Sequence, residues 1–344
     1  MEILKKNCED IILSSNNEVK SRGLVHLLYM LIVVCVAAVC AVTGDVFMSL
    51  VSAVVGGGFF AAACLCRFDF FTVTPMVIVP PVVVGAITEN FSLTIMSLSF
   101  LPVGFAIFYC IYKNKNRSQT VLTSTVALTL FYAALYSVII VSIFGYINGG
   151  VVEKYIELNL DVVRESMDEA KEVYENSDLK DQLQNEEVFT EEFEEKVIQS
   201  IRTSFAGYML MLFAISSFLA SIIAKRISQK NGKFPSECGE WKFVFSKPGA
   251  IVFLLAYFVG SMYVSEKEGL YLPFAINTLC MCLYPAILYM GVRKLVSMFK
   301  GRGGGTIAMI IISLVLFGSL ILPLIIIVGV FATLMYKEKK VDET

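Results

Sequence analysis

The chain has 344 residues, of which 56% are hydrophobic and 17% charged, and its formal net charge is −2. With a mean hydropathy of +0.71, this composition excludes an ordinary soluble domain. We therefore expect an integral membrane protein whose main partner is the lipid bilayer, and we expect no nucleic-acid partner.

Apolar runs of membrane-spanning length fill the chain. A helix needs about 20 apolar residues to cross a hydrocarbon layer of about 30 Å. These runs are too long and too uniformly apolar for barrel strands, whereas a helix satisfies its own backbone hydrogen bonds in lipid. We predict an all-α, polytopic helical bundle of about 8–9 spans. The candidate spans are Leu24–Val42, Val46–Cys66, Phe70–Ile87, Phe91–Tyr112, Thr120–Ile147, Ser204–Ile223, Ala250–Val264, Leu270–Val292 and Ile307–Tyr336.

The runs fall into two groups separated by a polar segment. The last run contains Gly318 and Pro323, so it is either one long kinked helix or a tight hairpin. The predicted domains are a cytoplasmic N-terminal segment (1–23), a first membrane group of about five spans (24–147), an acidic helical hairpin (148–203), a second group of about four spans (204–336) and a polar tail (337–344).

Basic residues predict the topology. Lys and Arg concentrate in the N-terminal segment and in alternate short loops, such as 113–117 and 225–247. Short basic loops stay in the cytoplasm. We therefore expect a multi-pass protein of the cell membrane with a cytoplasmic N-terminus. The polar segment after the fifth run then lies outside the cytoplasm.

That polar segment is an acidic block, Val151–Arg202, with 16 Asp and Glu residues against 6 Lys and Arg. An apolar stripe at helical spacing predicts a first helix that continues the fifth span. Asn185 is a candidate N-cap for a second helix that leads into the sixth. The hairpin is either a packed, solvated cap or a docking and cation-attracting surface. The stripe consists of Leu160, Val163, Met167, Ala170 and Tyr174.

Candidate solute sites lie where polar or proline-rich sequence enters a span. Pro75, Pro80, Pro81 and Gly85 predict that the third run is broken, as in transporters with midplane sites, or else kinked for packing. Asn277 binds solute or bonds to a neighbouring helix, and Glu89 begins a gate or an ordinary turn. The candidate substrate-binding residues are Thr74, Pro80, Pro81, Glu89, Asn90, Asn277 and Thr278.

Small residues mark candidate helix contacts, and signatures of chemistry are absent from the sequence. Ala37, Ala41 and Gly57 would let another helix, or a partner subunit, approach closely. The chain has one histidine, His26, and its Cys-x-Cys pairs lack zinc-ribbon spacing. We expect no metal, no cofactor and no enzymatic activity.

Several segments carry a family resemblance. They are Leu101-Pro-Val-Gly-Phe-Ala-Ile-Phe-Tyr, the basic loop Lys113–Arg117, Trp241 with Ser246-Lys247-Pro248, Ile276-Asn277-Thr278, and Tyr289-Met-Gly-Val-Arg-Lys. In this order the chain resembles the YybS-like family of multi-spanning bacterial membrane proteins of unknown function. That family is similar to the substrate-binding components of energy-coupling-factor vitamin transporters. The resemblance implies a small-molecule ligand and a coupling subunit that contacts Ala37 and Ala41.

Two functional hypotheses follow. The first is a substrate-binding or transport-type membrane component for a small solute, supported by the proline-rich third run and the alanine spacing. The second is a non-transporting membrane scaffold or sensor that uses the acidic hairpin as a docking surface.

Overall fold

All regular secondary structure in the described part of the chain is α-helical, which confirms the all-α prediction. The structure is a computed structural model and describes residues 25–66, 70–175, 191–231, 241, 243–263, 271–298 and 318–335. The helices are α1 Val25–Val42, α2 Val46–Leu65, α3 Phe70–Thr88, α4 Phe91–Met96, α5 Phe100–Tyr112, α6 Arg117–Phe144, α7 Gly149–Glu175, α8 Glu191–Lys230, α9 Lys247–Tyr263, α10 Tyr271–Met298 and α11 Gly318–Leu334.

Within these residues, 7 helical segments are long and apolar enough to cross a membrane, with α4 and α5 together forming one of them. Two shorter apolar helices, Lys247–Gly260 and Leu322–Leu334, coincide with the seventh and ninth predicted runs. The chain is therefore a polytopic membrane protein. Residues 307–317 of the ninth run lie outside the described residues, and so does the choice between one helix and a hairpin there.

The third run is not broken, so the broken-span alternative was wrong and a continuous helix, the other alternative, is what the structure has. Helix α3 is continuous over 19 residues and contains Pro75, Pro80 and Pro81. Each proline removes only its own N–H from the helical ladder, and Pro80 and Pro81 remove theirs at adjacent positions. The other donors remain, and transmembrane helices tolerate proline where neighbouring groups satisfy the freed carbonyls.

The fourth run is interrupted instead. Helix α4 ends at Met96, and α5 begins at Phe100 after a turn at residues 97–99. The turn is held by short-range backbone bonds: Leu98 N–H donates to the Ile95 carbonyl at 2.9 Å, and Ser99 N–H donates to the Met96 carbonyl at 3.1 Å. Such i→i+3 bonds tighten the chain without leaving its donors unpaired.

The chain divides into two compact units. Unit 1 comprises Met1–Leu135 with Leu212–Phe243, and unit 2 comprises Tyr136–Met211 with Val244–Thr344. The boundaries between the units fall within α6 and within α8, so each of these two helices contributes residues to both units.

In unit 1, glycines allow α2 and α5 to pack at short distance. A Cβ on Gly57 would lie 3.2 Å from the Phe100 carbonyl oxygen, and one on Gly104 would lie 2.7 Å from the Phe60 ring. On α2, a Cβ on Gly58 would lie 2.7 Å from Ile223 of α8. Close backbone approach of this kind is the usual role of small residues between membrane helices.

In unit 2, α10 and α11 cross at a pair of glycines. A Cβ on Gly291 would lie 2.2 Å from the Ile325 carbonyl oxygen, and one on Gly329 would lie 2.2 Å from the Ile287 carbonyl oxygen. Both obstacles are backbone atoms, so a rotamer change cannot relieve them. This crossing requires glycine on both helices.

The acidic block is helical at both ends. Its second helix is part of α8, which runs unbroken for 40 residues into the sixth span, as predicted. The first helix does not continue the fifth span, and that prediction was wrong. The chain turns at Gly145, where φ is +78°. Asn148 then accepts from the Val151 N–H at 2.9 Å at the start of α7.

An ion pair between Arg202 and Glu157 joins α8 to α7. Arg164 also contacts Glu157, at 3.6 Å, and pairs with Asp161 at 2.5 Å. The proposed N-cap Asn185 lies outside the described residues. In the predicted stripe, Leu160 is buried and Ala170 is exposed, while the side chains of Val163 and Tyr174 are outside the described part.

We predict that Gly291→Ala destabilises the protein by about 1–3 kcal/mol, because the added methyl overlaps a backbone oxygen. Thermal unfolding of the detergent-purified chain measures this. The matched control is Gly149→Ala, where a Cβ meets nothing within 4 Å. Equal unfolding temperatures for the two variants would contradict the crossing described above.

Candidate functional site

Five buried hydroxyl-bearing residues lie in unit 1 around the interruption of the fourth run. We call them the hydroxyl cluster, and each is at most 2% exposed. Two come from α2, two from the turn between α4 and α5, and one from α6. They are Ser49, Ser52, Ser97, Ser99 and Tyr132.

Hydrogen bonds link most of these groups. The Ser49 Oγ and the Tyr132 Oη share a hydrogen bond at 2.5 Å. Ser99 Oγ donates to the Ser49 carbonyl at 3.1 Å, and Ser97 Oγ donates to the Thr94 carbonyl at 2.7 Å. The interruption is thus tied by side chains to α2, and through Ser49 to α6.

Tyr132 is itself held by packing. Its ring stacks on Phe213 of α8 with centroids 4.9 Å apart and an interplanar angle of 20°. Offset stacking of this kind fixes the ring plane. The phenol oxygen is therefore positioned from two sides, by the ring partner and by the bond to Ser49.

Ser52 is the exception in the cluster. It is 1% exposed, and its Oγ has no hydrogen-bond partner in the described part of the chain. Ser49, Ser52 and Gly56 are spaced three and four residues apart, so they share one face of α2. Ser49 bonds to Ser99, and a Cβ on Gly56 would lie 3.0 Å from the Phe100 Cβ. Ser52 therefore lies one turn from Ser49 on the same face of α2, and its backbone contacts Cys40 of α1.

The cluster lies within the apolar part of the span. Ser52 is six residues beyond Val46, the first residue of α2, or about 9 Å along the helix axis at 1.5 Å per residue. A buried hydroxyl without a partner costs about 1–3 kcal/mol. Such groups in a native protein call for an explanation, such as a bound water or ligand.

The α3 candidates do not form a comparable polar site. On α3, Pro80 is buried, while Thr74 and Pro81 are half-buried. Glu89 and Asn90 are exposed in the turn before α4. Asn90 caps α4 by accepting from the Ser92 and Leu93 N–H groups at 2.9 and 3.2 Å. These contacts give Asn90 a local role in the turn.

Asn277 and Thr278 belong to unit 2. A Cβ on Gly207 of α8 would lie 3.0 Å from the Thr278 Cα and 3.2 Å from the Asn277 carbonyl oxygen. Gly207 therefore lets α8 approach α10 at this level. Thr278 Oγ1 is buried, and within the described residues it has no hydrogen-bond partner.

The small-residue candidates face the interior of unit 1. Ala37 is 0% and Ala41 1% exposed, and Ala37 joins an apolar cluster with Phe60, Met76 and others. Gly57 is buried against α5. The chain's own helices cover all three, so none offers an open surface to a separate subunit.

A second group of contacts surrounds Arg117, at the basic end of α6. Its guanidinium lies 4.2 Å from the ring centroid of Phe218 and 5.6 Å from that of Trp241. Trp241 Nε1–H donates to the Lys115 carbonyl at 3.1 Å. Arginine and tryptophan in this arrangement anchor a span end at the membrane surface. We assign these contacts a structural role.

The sequence reasoning missed Ser49, Ser52, Ser99 and Tyr132. Serine and tyrosine are common in apolar runs, so these residue types did not distinguish the four positions as candidate site residues. The available signal was the spacing of Ser49 and Ser52 on one helical face together with the Ser97-Leu-Ser99 pair. Among the described residues, no group of three or more His, Cys, Asp or Glu could hold a metal ion.

We predict that Tyr132→Phe lowers stability by about 1–2 kcal/mol, because it leaves the Ser49 hydroxyl without its partner at the same ring volume. Thermal unfolding in detergent reports the change. Tyr109→Phe serves as the control, since Tyr109 is 56% exposed. A Tyr132→Phe protein as stable as that control would show that the hydrogen bond between Ser49 and Tyr132 does not stabilise the fold.

Comparison with known proteins gives a family. A family model described as "Predicted membrane protein (DUF2232)" matches residues 61–333. No curated protein and no solved structure matches the chain. Because the match covers well over half of its length, the chain belongs to the DUF2232 family of membrane proteins, a family of unknown function.

Proposed function

We propose that the protein is a substrate-binding or transport-type membrane component for a small solute, and that the hydroxyl cluster is its site. The observation that carries this proposal is the interruption of the fourth span at residues 97–99, beside the buried hydroxyls of α2 and α6.

The physical reason is the cost of polar groups in lipid. At Ser97 and Ser99 the backbone keeps helical torsion angles and tightens into i→i+3 hydrogen bonds, and such tightened turns within a helix often mark functional hinges. Transporters build solute sites at discontinuous helices, and the change of helical geometry at residues 97–99 is the feature of this span that supports the analogy. Here the interruption lies beside three other buried hydroxyl-bearing residues, Ser49, Ser52 and Tyr132, and the Ser52 hydroxyl has no partner within the described chain.

This proposal places the site away from the proline-rich run. Helix α3 is continuous, so its prolines no longer support a broken span. The resemblance to the YybS-like family and to energy-coupling-factor components still supports a substrate-binding role by analogy. A membrane partner subunit would contact a surface other than the buried face of Ala37 and Ala41.

The second candidate function is a membrane scaffold or sensor that docks a partner on the acidic block. It is favoured by the exposure of the Asp161 carboxylate, whose side chain is 63% exposed although it pairs with Arg164. Exposed acidic groups attract cations and basic partners. The ion pair of Glu157 with Arg202 would hold the two helices together beneath such a surface.

We also propose a cell-membrane location with the N-terminus in the cytoplasm and the acidic block outside it. The support is the distribution of Lys and Arg among the short loops. The proposed site then lies nearer the outer ends of α2 and α4, since an odd number of crossings separates the N-terminus from the start of α2.

To test the function, the full chain is purified from its native membranes in lipid nanodiscs, and the bound fraction is identified by mass spectrometry. We expect a small molecule in stoichiometric amount. A bound protein whose retention requires the acidic block, with no small molecule, would support the scaffold function instead. A chain that retains neither would refute the solute-binding proposal.

We predict that Glu169→Cys reacts with a membrane-impermeant maleimide in intact cells, because Glu169 is exposed on α7. Asn231→Cys, exposed just after α8, should react only after the cells are opened. The unaltered chain gives the background from native cysteines. The reverse labelling pattern would invert the proposed topology.

A further inference from the structure

We infer that the hydroxyl cluster takes an uncharged, hydrogen-bonding solute, such as a polyol or an amide, and that Ser52 is the residue that contacts it. This inference rests on the proposed function and names the class of solute. Five hydroxyl-bearing side chains supply groups that both donate and accept, and one of them, Ser52, has no partner within the described residues.

The charge of the surroundings decides the class. The segments that build the cluster, residues 46–66, 91–112, 120–135 and 212–224, contain no Asp, Glu, Lys, Arg or His. Asp45, one turn before Ser49, is exposed and serves as the N-cap of α2 by accepting from the Phe47 N–H. A charged solute buried among these segments would lack a counter-charge, which costs several kcal/mol even after relaxation of the protein. A neutral solute needs only hydrogen-bond partners, and hydroxyls provide them.

The existing hydrogen bonds decide the contact residue. Ser49 is engaged by both Tyr132 and Ser99, and Ser97 bonds within its own turn. Their donors and acceptors would have to be exchanged before they could serve a solute. Ser52 loses nothing on binding, because a solute group replaces an unmet hydrogen bond at a hydroxyl that folding has already desolvated.

The short helix α4 provides the route of entry. Of its six residues, Met96 is buried, Phe91 is exposed and the other four are half-buried, so its apolar packing is incomplete. A turn at Glu89 and Asn90 precedes it, and the interruption follows it. Segments with few buried apolar contacts open at low free energy. Displacement of α4 would bring solvent or solute to the turn at residues 97–99, where the hydroxyl cluster lies.

The test uses the full chain in native-lipid nanodiscs and compares three proteins: wild type, Ser52→Ala and Ser228→Ala. Ser228 is also fully buried with an Oγ that has no partner in the described part, but it lies near the end of α8. It therefore controls for the loss of a buried, unpartnered hydroxyl as such. The readout is the amount of each co-purified small molecule per protein, sorted by charge at neutral pH.

We expect a neutral compound in the wild type, reduced about tenfold in Ser52→Ala, as one lost hydrogen bond predicts, and unchanged in Ser228→Ala. Thermal unfolding of each variant verifies that the chain is folded. Because the change removes an unsatisfied group, Ser52→Ala without solute should unfold at the wild-type temperature or above it.

The other outcomes separate the two proposals. A charged compound, or a neutral one that Ser52→Ala retains in full, overturns this inference and leaves the solute-binding function standing. Sodium ion retained in place of an organic compound, and lost in Ser52→Ala, also overturns the neutral class. Absence of any small molecule from the wild type overturns both.

Discussion

The structure of unit 1 depends on one constraint, which is that backbone polar groups inside a membrane must find partners within the protein. The interruption between α4 and α5 meets it with tight i→i+3 bonds and with the Ser97 hydroxyl. Helix α2 packs against this turn, and Gly56 and Gly57 of α2 let α5 pack directly on α2. The buried turn, the glycine face and the hydroxyl cluster are therefore one arrangement.

The sequence was sufficient to predict the helical class and the location of the apolar runs, because span length and hydropathy are properties of local sequence. It misplaced the interruption for the same reason. Three prolines in α3 suggested a break, yet the helix continues through them. Ser97-Leu-Ser99 contains neither Pro nor Gly, and its turn is bound to Ser49, which lies 50 residues away in the chain. Only the tertiary contact distinguishes that segment.

The candidate site could be predicted only in part, because rarity of residue type was the available guide. Asn277 and the prolines stand out in apolar runs, whereas serine and tyrosine do not. Ser52 becomes notable through burial and the lack of a partner, and neither property can be read from residue type. Burial likewise changes the interpretation of Ala37 and Ala41, whose spacing fits a helix contact within the chain as well as one with another subunit.

The two connections of the acidic block to the spans differ in stiffness. On one side α8 is a single helix of 40 residues, about 60 Å long, and it carries the chain from the acidic block through the sixth span. On the other side the chain bends at Gly145, whose positive φ only a glycine adopts without strain. A rotation of the acidic block would therefore be transmitted along the continuous helix α8, whereas the turn at Gly145 would not transmit it to α6.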